Sequence, residues 1–272
     1  MVEVPGLDGT DWQLALLRAR SPDVWVDDRL DTTRAHALAL GGLPRLTFDD
    51  QGEGGSLARA NVCGMVPPSP DASANAYRGP DFLVLDERLT TWTPADPAEK
   101  APLLLTFGGS DTHGLTPRIL AALGGGWTGA MPVHVITGPA FRHEEALLEA
   151  LRRFSGEIVH ASAVPDLLPL IAGAGMVVCA GGLTAHESAA LGRATLVVAS
   201  EPHEIPPARY LADRGACRYL GYRDEDVEAR LEREVRAWLE HPEARARDGA
   251  MGRAVVDGRG LERVVAILEA CA

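Results

Sequence analysis

Two short stretches combine glycine, hydroxyl and carboxylate residues at a spacing that suits phosphate chemistry. In LLLTFGGSDTHGLTPRIL an apolar run ends in Gly108, Gly109, Ser110 and Asp111, and a helical pattern comes after it. In VVCAGGLTAHESAALG, residues 177–192, a second apolar run ends in Gly181 and Gly182, with Leu183, Thr184 and then Glu187 beyond. Glycines let the backbone approach a ligand closely, and the first turn of a helix offers free N–H groups and a favourable dipole to an anion. The turns therefore suit a phosphate or a nucleotide. A plainer reading stands beside it. Thr184 and Glu187 match the capping-box spacing, and paired glycines occur in α/β turns that hold nothing. Residue chemistry alone leaves both open.

Other ionisable residues are weighed in the same way. His113 comes after the first turn and His186 lies in the helix after the second, so either is a candidate base. For both, an ordinary surface or capping histidine is the plainer reading, and His186 points to a different side of its helix from Glu187. His203 and Glu204, after the run TLVVA, are read as sugar contacts at a strand end that faces the crevice. Asp27 with Asp28, and Asp49 with Asp50, form acidic pairs at strand ends; they are candidates for a paired-carboxylate or metal site, or are solvated turn starters. His134, His143 and His160 show no ligand spacing with Cys or carboxylates, so no zinc site is proposed, and nothing in the sequence requires a metal or a cofactor.

The elements that must position these residues form an alternating pattern. LLLTF, VHVIT, EIVHA, MVVCA and TLVVA are continuous β-rich runs separated by segments of helical spacing, such as HEEALLEALRRF. Strands alternating with helices predict βαβ units and a parallel sheet covered on both faces. Earlier in the chain, DVWVDD and RLTFDD are expected strands joined by a helix near TTRAHALAL, and FLVLD an expected last strand of that region. The Pro-rich, charged stretch 91–102 reads as a linker. The expected division is a first lobe over 1–92, a linker over 93–102 and a second lobe over 103–272. DVEARLEREVRAWLEHPEARA is expected to be one long exterior helix with a solvated face.

Composition bounds the function. With 272 residues the chain can bury a core as one large domain or two modest ones. A net charge of −12 repels a phosphate backbone, so neither nucleic acid nor an anionic membrane surface is an expected partner. Cys63, Cys179, Cys217 and Cys271 are scattered with no CxxC pair, which predicts buried reduced thiols and a cytoplasmic protein. No run reaches the ~18 apolar residues that a membrane span needs. The acidic opening MVEVPGLDGTDW lacks the apolar region of a signal peptide.

These motifs resemble, in order and spacing, one family. LTFGGSDTHGLT, VITGPAF, VPDLLPLIAGAGMVVCAGGLTAHESAALG and VDGRGLERV, with DVWVDDRLDT, LTFDD and YRGPDFLVL before them, are similar to the SpsG/PseG-like proteins. Those are UDP-sugar hydrolases that remove UDP from a diacetamido-trideoxyhexose in the biosynthesis of pseudaminic-type sugars. The resemblance covers nearly the whole chain. It implies a GT-B-like α/β fold, two Rossmann-type lobes with parallel sheets, shared with the glycosyltransferase that forms lipid II. It implies a hydrolase that binds UDP or a UDP-sugar; the alternatives are a glycosyltransferase using the same donor and a non-catalytic nucleotide-sugar-binding subunit. By this resemblance Gly181, Gly182, Leu183 and Thr184 meet the diphosphate and Glu187 accepts the ribose hydroxyls, since a carboxylate suits a vicinal diol. Gly108, Gly109, Ser110 and Asp111 then face the sugar or diphosphate, and the uracil lies near Val164 and Pro165.

Two departures from the family pattern bear on the chemistry. The family's GxGHxxR-type loop, whose histidine acts in the anomeric reaction, has no counterpart before DVWVDD. The N-terminal lobe is therefore expected to be incomplete: through truncation, through another chain supplying the piece, or with loss of the hydrolase reaction. Where the family has Asn-Gln, this chain has His203-Glu204, which alters the hexose contact but not the nucleotide site.

Overall fold

The computed structural model describes residues 11–92, 101–124, 127 and 131–272. The expected linker lies mostly outside them, at 93–100, as do residues 1–10. The chain forms two compact units, one comprising the described residues up to Val84 together with Arg259–Ala272, the other Leu85–Gly258.

The first unit runs α1 (Asp11–Arg20), β1 (Trp25–Asp28), α2 (Arg34–Ala39), β2 (Arg45–Phe48), α3 (Glu53–Ser56), β3 (Ala60–Cys63) and β4 (Ala76–Arg78). Its strands make a parallel sheet in the order β1-β2-β3-β4. Helix α2 starts where Thr33 accepts the His36 N–H at its N-cap. FLVLD is not a strand. Gly79, at φ +94°, and Pro80 turn the chain into a 3-10 helix over Pro80–Phe82, and the last sheet position goes to β4 instead.

The second unit runs α4 (Arg88–Thr91), β5 (Leu103–Thr106), α5 (Leu115–Gly124), β6 (Val133–Thr137), α6 (Glu144–Arg153), β7 (Ile158–Ser162), α7 (Leu168–Gly173) and β8 (Met176–Cys179). It continues with α8 (Leu183–Ala190), β9 (Thr195–Ala199), α9 (Ile205–Asp213), β10 (Arg218–Tyr222), α10 (Glu228–Glu240) and α11 (Pro242–Val255). The sheet is parallel throughout, in the order β10-β9-β8-β5-β6-β7. Successive side chains point to opposite faces, and both faces are covered. Leu103, Leu105, Met176, Val178, Leu196 and Val198 join one apolar core with Ile119, Leu147 and Trp238, while Leu104, Val177 and Val197 are equally buried on the other side.

Two further expectations change. The long exterior helix is two, α10 and α11. Pro242 cannot continue a helix and holds His241 out of helical geometry, at φ −128° and ψ 72°. Leu231, Val235 and Trp238 of α10 are core residues, so only its opposite face is solvated. The sequence-based division also shifts at both ends. The last helix, α12 (Gly260–Cys271), belongs to the first unit, where Val264 and Cys271 pack with Leu46, Ala60 and Val62. It sits so close that a Cβ on Gly260 would overlap the Leu83 carbonyl. No helix among the described residues is long and apolar enough to cross a membrane.

Close packing of α11 yields a prediction whose sign is not obvious. Replacing a mid-helix glycine with alanine normally stabilises by about 1 kcal/mol. A Cβ on Gly249 would instead overlap the Gly192 carbonyl oxygen in the turn after α8. Gly249→Ala is therefore expected to destabilise by about 1–3 kcal/mol, because backbone must move. Urea unfolding of the two proteins measures it.

Candidate functional site

The second unit has its topological switch between β5 and β8. The chain leaves β5 toward β6 and β7, then returns to the other side for β8, β9 and β10. In such sheets the crevice beyond the C-terminal strand ends at the switch receives the ligand. Both glycine turns lie there. A cleft of about 380 Å³ is lined by residues 107–112 after β5, by Ala180 and residues 182–184 after β8, and by Ser200, Glu201, His203 and Glu204 after β9. It brings together nine of the residues expected from sequence: Gly108, Gly109, Ser110, Asp111, Gly182, Leu183, Thr184, His203 and Glu204.

Each turn is braced by a buried carboxylate. Asp111, itself in the left-handed region at φ +41°, accepts the Leu115 N–H at 2.8 Å and the Thr116 N–H at 2.7 Å. That satisfies the first free donors of α5, so the carboxylate is spent on the helix rather than offered to a substrate. Gly108 needs its glycine for φ +76°, and nothing would crowd a Cβ there: the turn is open on that side. Glu204 braces the second turn. Its Oε2 accepts from Gly181 N at 3.3 Å, Ser200 N at 2.7 Å, Ser200 Oγ at 2.9 Å and Glu201 N at 3.4 Å. The expected sugar contact is thus a structural clamp between two strand ends, and Gly181 is buried beneath it. A Cβ on Gly181 would come within 2.9 Å of Glu204 Cβ. His203 is exposed at the rim.

The capping box does not form. The N-cap of α8 is Gly182, two residues before Thr184, and no side chain among the described residues caps the helix. The Ala185 N–H bonds the Gly182 carbonyl oxygen at 3.2 Å, and the N–H groups before it belong to Leu183 and Thr184, which line the cleft as an anion site needs. His186 is also not a surface residue. It is 1% exposed with Nδ1 3.1 Å from the Gly182 carbonyl oxygen, and burial pushes its imidazole below the ordinary value, which favours the neutral ring.

Glu187, freed from capping, is half-buried one turn into α8. Burial raises its carboxyl above the usual range, with the charges of Asp86 and Asp166 adding to it. Among the described residues no donor reaches its carboxylate. Beside it Arg88 binds Asp86 at 2.8 Å and Asp166 at 2.6 Å. Val164 and Pro165 sit in the loop just before Asp166, outside the cleft lining, and Ala163 there adopts φ +53°.

Neither acidic pair of the first unit is a carboxylate pair. In each, one partner is built into the fold: Asp27 is buried against His36 at 3.2 Å, Arg45 at 3.4 Å and Trp25 Nε1 at 2.9 Å. Asp50 accepts from the Thr32 and Gly52 N–H groups and from the Thr32 hydroxyl. Asp28 faces solvent, and Asp49 is raised by burial and then by Asp28. Among the described residues no three His, Cys, Asp or Glu side chains are grouped to hold a metal. All four cysteines are free and buried. Sequence reasoning passed over Glu201, which accepts from His113 Nε2 at 2.8 Å; only a tertiary contact between two strand ends reveals it.

The clamp predicts a measurable loss. Glu204→Ala strips one acceptor from four donors, and stranded buried N–H groups cost about 1–3 kcal/mol. Hydrogen exchange is expected to speed up at Gly181, Ser200 and Glu201 while exchange at β6 stays unchanged. Equal protection at those amides in the variant would remove the clamp's role.

No protein-family model matches the chain. It is 26% identical over 201 residues to the spore coat polysaccharide biosynthesis protein SpsG of Bacillus subtilis, covering 71% of this chain and 58% of that protein. It is 29% identical over 235 residues to the UDP-N-acetylglucosamine–N-acetylmuramyl-(pentapeptide) pyrophosphoryl-undecaprenol N-acetylglucosamine transferase of Pseudomonas paraeruginosa, covering 76% and 61%. The chain thus spans about three fifths of the curated relatives it matches. Among solved structures, MurG of Acinetobacter baumannii superposes with a TM-score of 0.69 at 17% identity, over 97% of this chain and 78% of that one. The SpsG-like resemblance holds over 71% of the chain, and the two parallel-sheet α/β units have the fold of the GT-B glycosyltransferases.

Proposed function

We propose that the chain is a nucleotide-sugar-using enzyme that binds UDP or a UDP-sugar in its Leu85–Gly258 unit. The observation that carries this reading is the pair of glycine turns side by side at the β5/β8 switch, with the first turn of α8 uncapped by any side chain among the described residues. Backbone N–H groups of residues 182–184, with Gly108, Gly109 and Ser110 opposite, would cradle the diphosphate. Glu187, a carboxylate without a donor, would take the ribose diol, with the uracil toward Val164 and Pro165. Preorganised N–H groups are worth most where charge develops, here on the departing diphosphate.

The motifs favour water as the attacking group, which releases UDP and the free amino sugar. Transfer to an acceptor hydroxyl from the same donor site is the second reading, favoured by the transferase name of the Pseudomonas relative. A histidine loop of the GxGH type, supplied upstream or by another chain, would complete the reaction centre. Four buried free thiols fit a reducing compartment, the cytoplasm. Incubation of a UDP-sugar with and without candidate acceptors separates the readings: free sugar in the absence of acceptor supports hydrolysis, acceptor-dependent turnover supports transfer.

Calorimetric titration tests the site itself. Wild type is expected to bind UDP in the micromolar range and Glu187→Ala to lose ~1.5–3 kcal/mol, the worth of hydrogen bonds to a charged group. No UDP binding by the wild type would overturn the proposal. The raised carboxyl adds a pH signature. The ionised form accepts both hydroxyls, so affinity for uridine, which lacks phosphate, falls on acidification. It does so at a higher pH than for an ordinary glutamate, because the group takes up its proton earlier. Glu187→Gln is expected to abolish that slope.

A further inference from the structure

The diphosphate reading leaves the cleft short of positive charge, and the role assigned below to His113 rests on that reading. Three carboxylates line the cleft, those of Asp111, Glu201 and Glu204, and no lysine or arginine is among the lining residues. Asp111 and Glu204 are matched by N–H groups. The end of α8 supplies only about half a positive charge, and a diphosphate brings several negative ones.

His113 is not itself a lining residue, but it follows Thr112 and bonds Glu201, both of which line the cleft. Its Nε2 lies 2.8 Å from Glu201 Oε1, on the turn after β9. An ionised carboxylate only accepts, so Nε2 carries the proton and donates. Nδ1 has no partner among the described residues. Glu201 is itself fixed from behind. Arg223 Nη1 lies 3.6 Å from its Oε2 and donates to the Ser200 carbonyl oxygen, and the guanidinium stacks over Tyr222 at 4.6 Å. The hydrogen bond from His113, and then the charges of His113, Arg223 and His203, hold the Glu201 carboxyl below its usual range. The titratable and charged groups near His113 are therefore Asp111 on its own turn, Glu201, His203 and Glu204 after β9, Arg223 with Asp224 after β10, and His143 at the start of α6, whose ring lies against Gly114.

We propose that His113 is a phosphate-binding residue of the cleft: its imidazolium, oriented by Glu201, donates from Nδ1 to the diphosphate and supplies the charge that the glycine turns lack. Glu201 is the positioning residue, and Arg223 keeps it in place. Diphosphate binding is then coupled to uptake of a proton wherever the free ring is neutral, because only the imidazolium donates from both nitrogens.

The test is calorimetric titration of UDP and of uridine into wild type, His113→Gln, His203→Gln and Glu201→Gln at pH 6 and pH 8. Wild type is expected to bind UDP roughly tenfold more tightly at pH 6 than at pH 8, the worth of a charge-assisted hydrogen bond. His113→Gln should lose that gain, and Glu201→Gln should shift its midpoint to lower pH. Uridine affinity should not respond to either substitution. A wild-type pH slope retained in His113→Gln overturns the proposal, and one lost only in His203→Gln gives the role to the other imidazole. If the wild type binds no UDP at either pH, the nucleotide reading falls. His113 is then decided by titrating pyrophosphate while tracking its imidazole resonances by NMR. A raised His113 titration midpoint supports a diphosphate contact, and an unmoved one removes it.

Discussion

One carboxylate oxygen holds the candidate site in shape. Glu204 Oε2 gathers N–H groups from the turn after β8 and the turn after β9, with the Ser200 hydroxyl as well. Without it, Gly181 and Ser200 would present donors to a dry interior, and two adjacent strand ends would lose their common anchor. Asp111 plays the matching part on the other side of the switch, at the start of α5. Two of the acids that line the cleft are thereby committed to the N–H groups of its turns. On the proposed reading, this arrangement is how a strongly acidic chain offers an anion a favourable place. The carboxylates nearest the cleft are already neutralised by dipoles, except for Glu201, which carries its own cations.

Much of this was legible in the sequence. Runs such as LLLTF and MVVCA are buried on both faces, and unbroken apolar strands bounded by glycine are the signature of a covered parallel sheet. Of the five such runs, β5, β6, β8 and β9 are buried in this way, whereas β7 is an edge strand with Val159, His160 and Ser162 exposed; the two glycine turns fall at the switch because they come directly after its two central strands. Other elements carry weaker signals. β10 is an edge strand with half-buried Arg218, Tyr219 and Tyr222, so it lacks the apolar run that marks its neighbours. β3, fully buried, includes Asn61, whose side chain is satisfied by Thr47 and the Asp50 carbonyl oxygen. A polar residue in so short a strand erases the pattern.

The roles of the acids were not legible, for a different reason. Asp111, Glu187 and Glu204 have the same chemistry and similar positions after strand ends. What separates them is which N–H groups the fold brings near: two for Asp111, three backbone groups for Glu204, none among the described residues for Glu187. Spacing alone fits Glu187 as a helix cap. The helix instead starts at Leu183, which places Glu187 a turn further along and leaves its carboxylate unclaimed. Fold likeness and site chemistry also answer different questions. The GT-B architecture hosts many reactions, so a particular one is decided by the charges and donors in the cleft.

The placement of α12 has a consequence for how the molecule is made. The second unit is one unbroken segment, whereas the first needs residues from both sides of it. During vectorial synthesis the strands β1 to β4 leave the ribosome before the second unit, yet the helix that covers Leu46, Ala60 and Val62 emerges only after it. Domains fold as units when their residues become available. The unit begun second can therefore finish first, while the nascent sheet of the other waits with part of its apolar face uncovered. That interval, set by chain order alone, is the stage at which a chaperone or an aggregating neighbour would meet the protein.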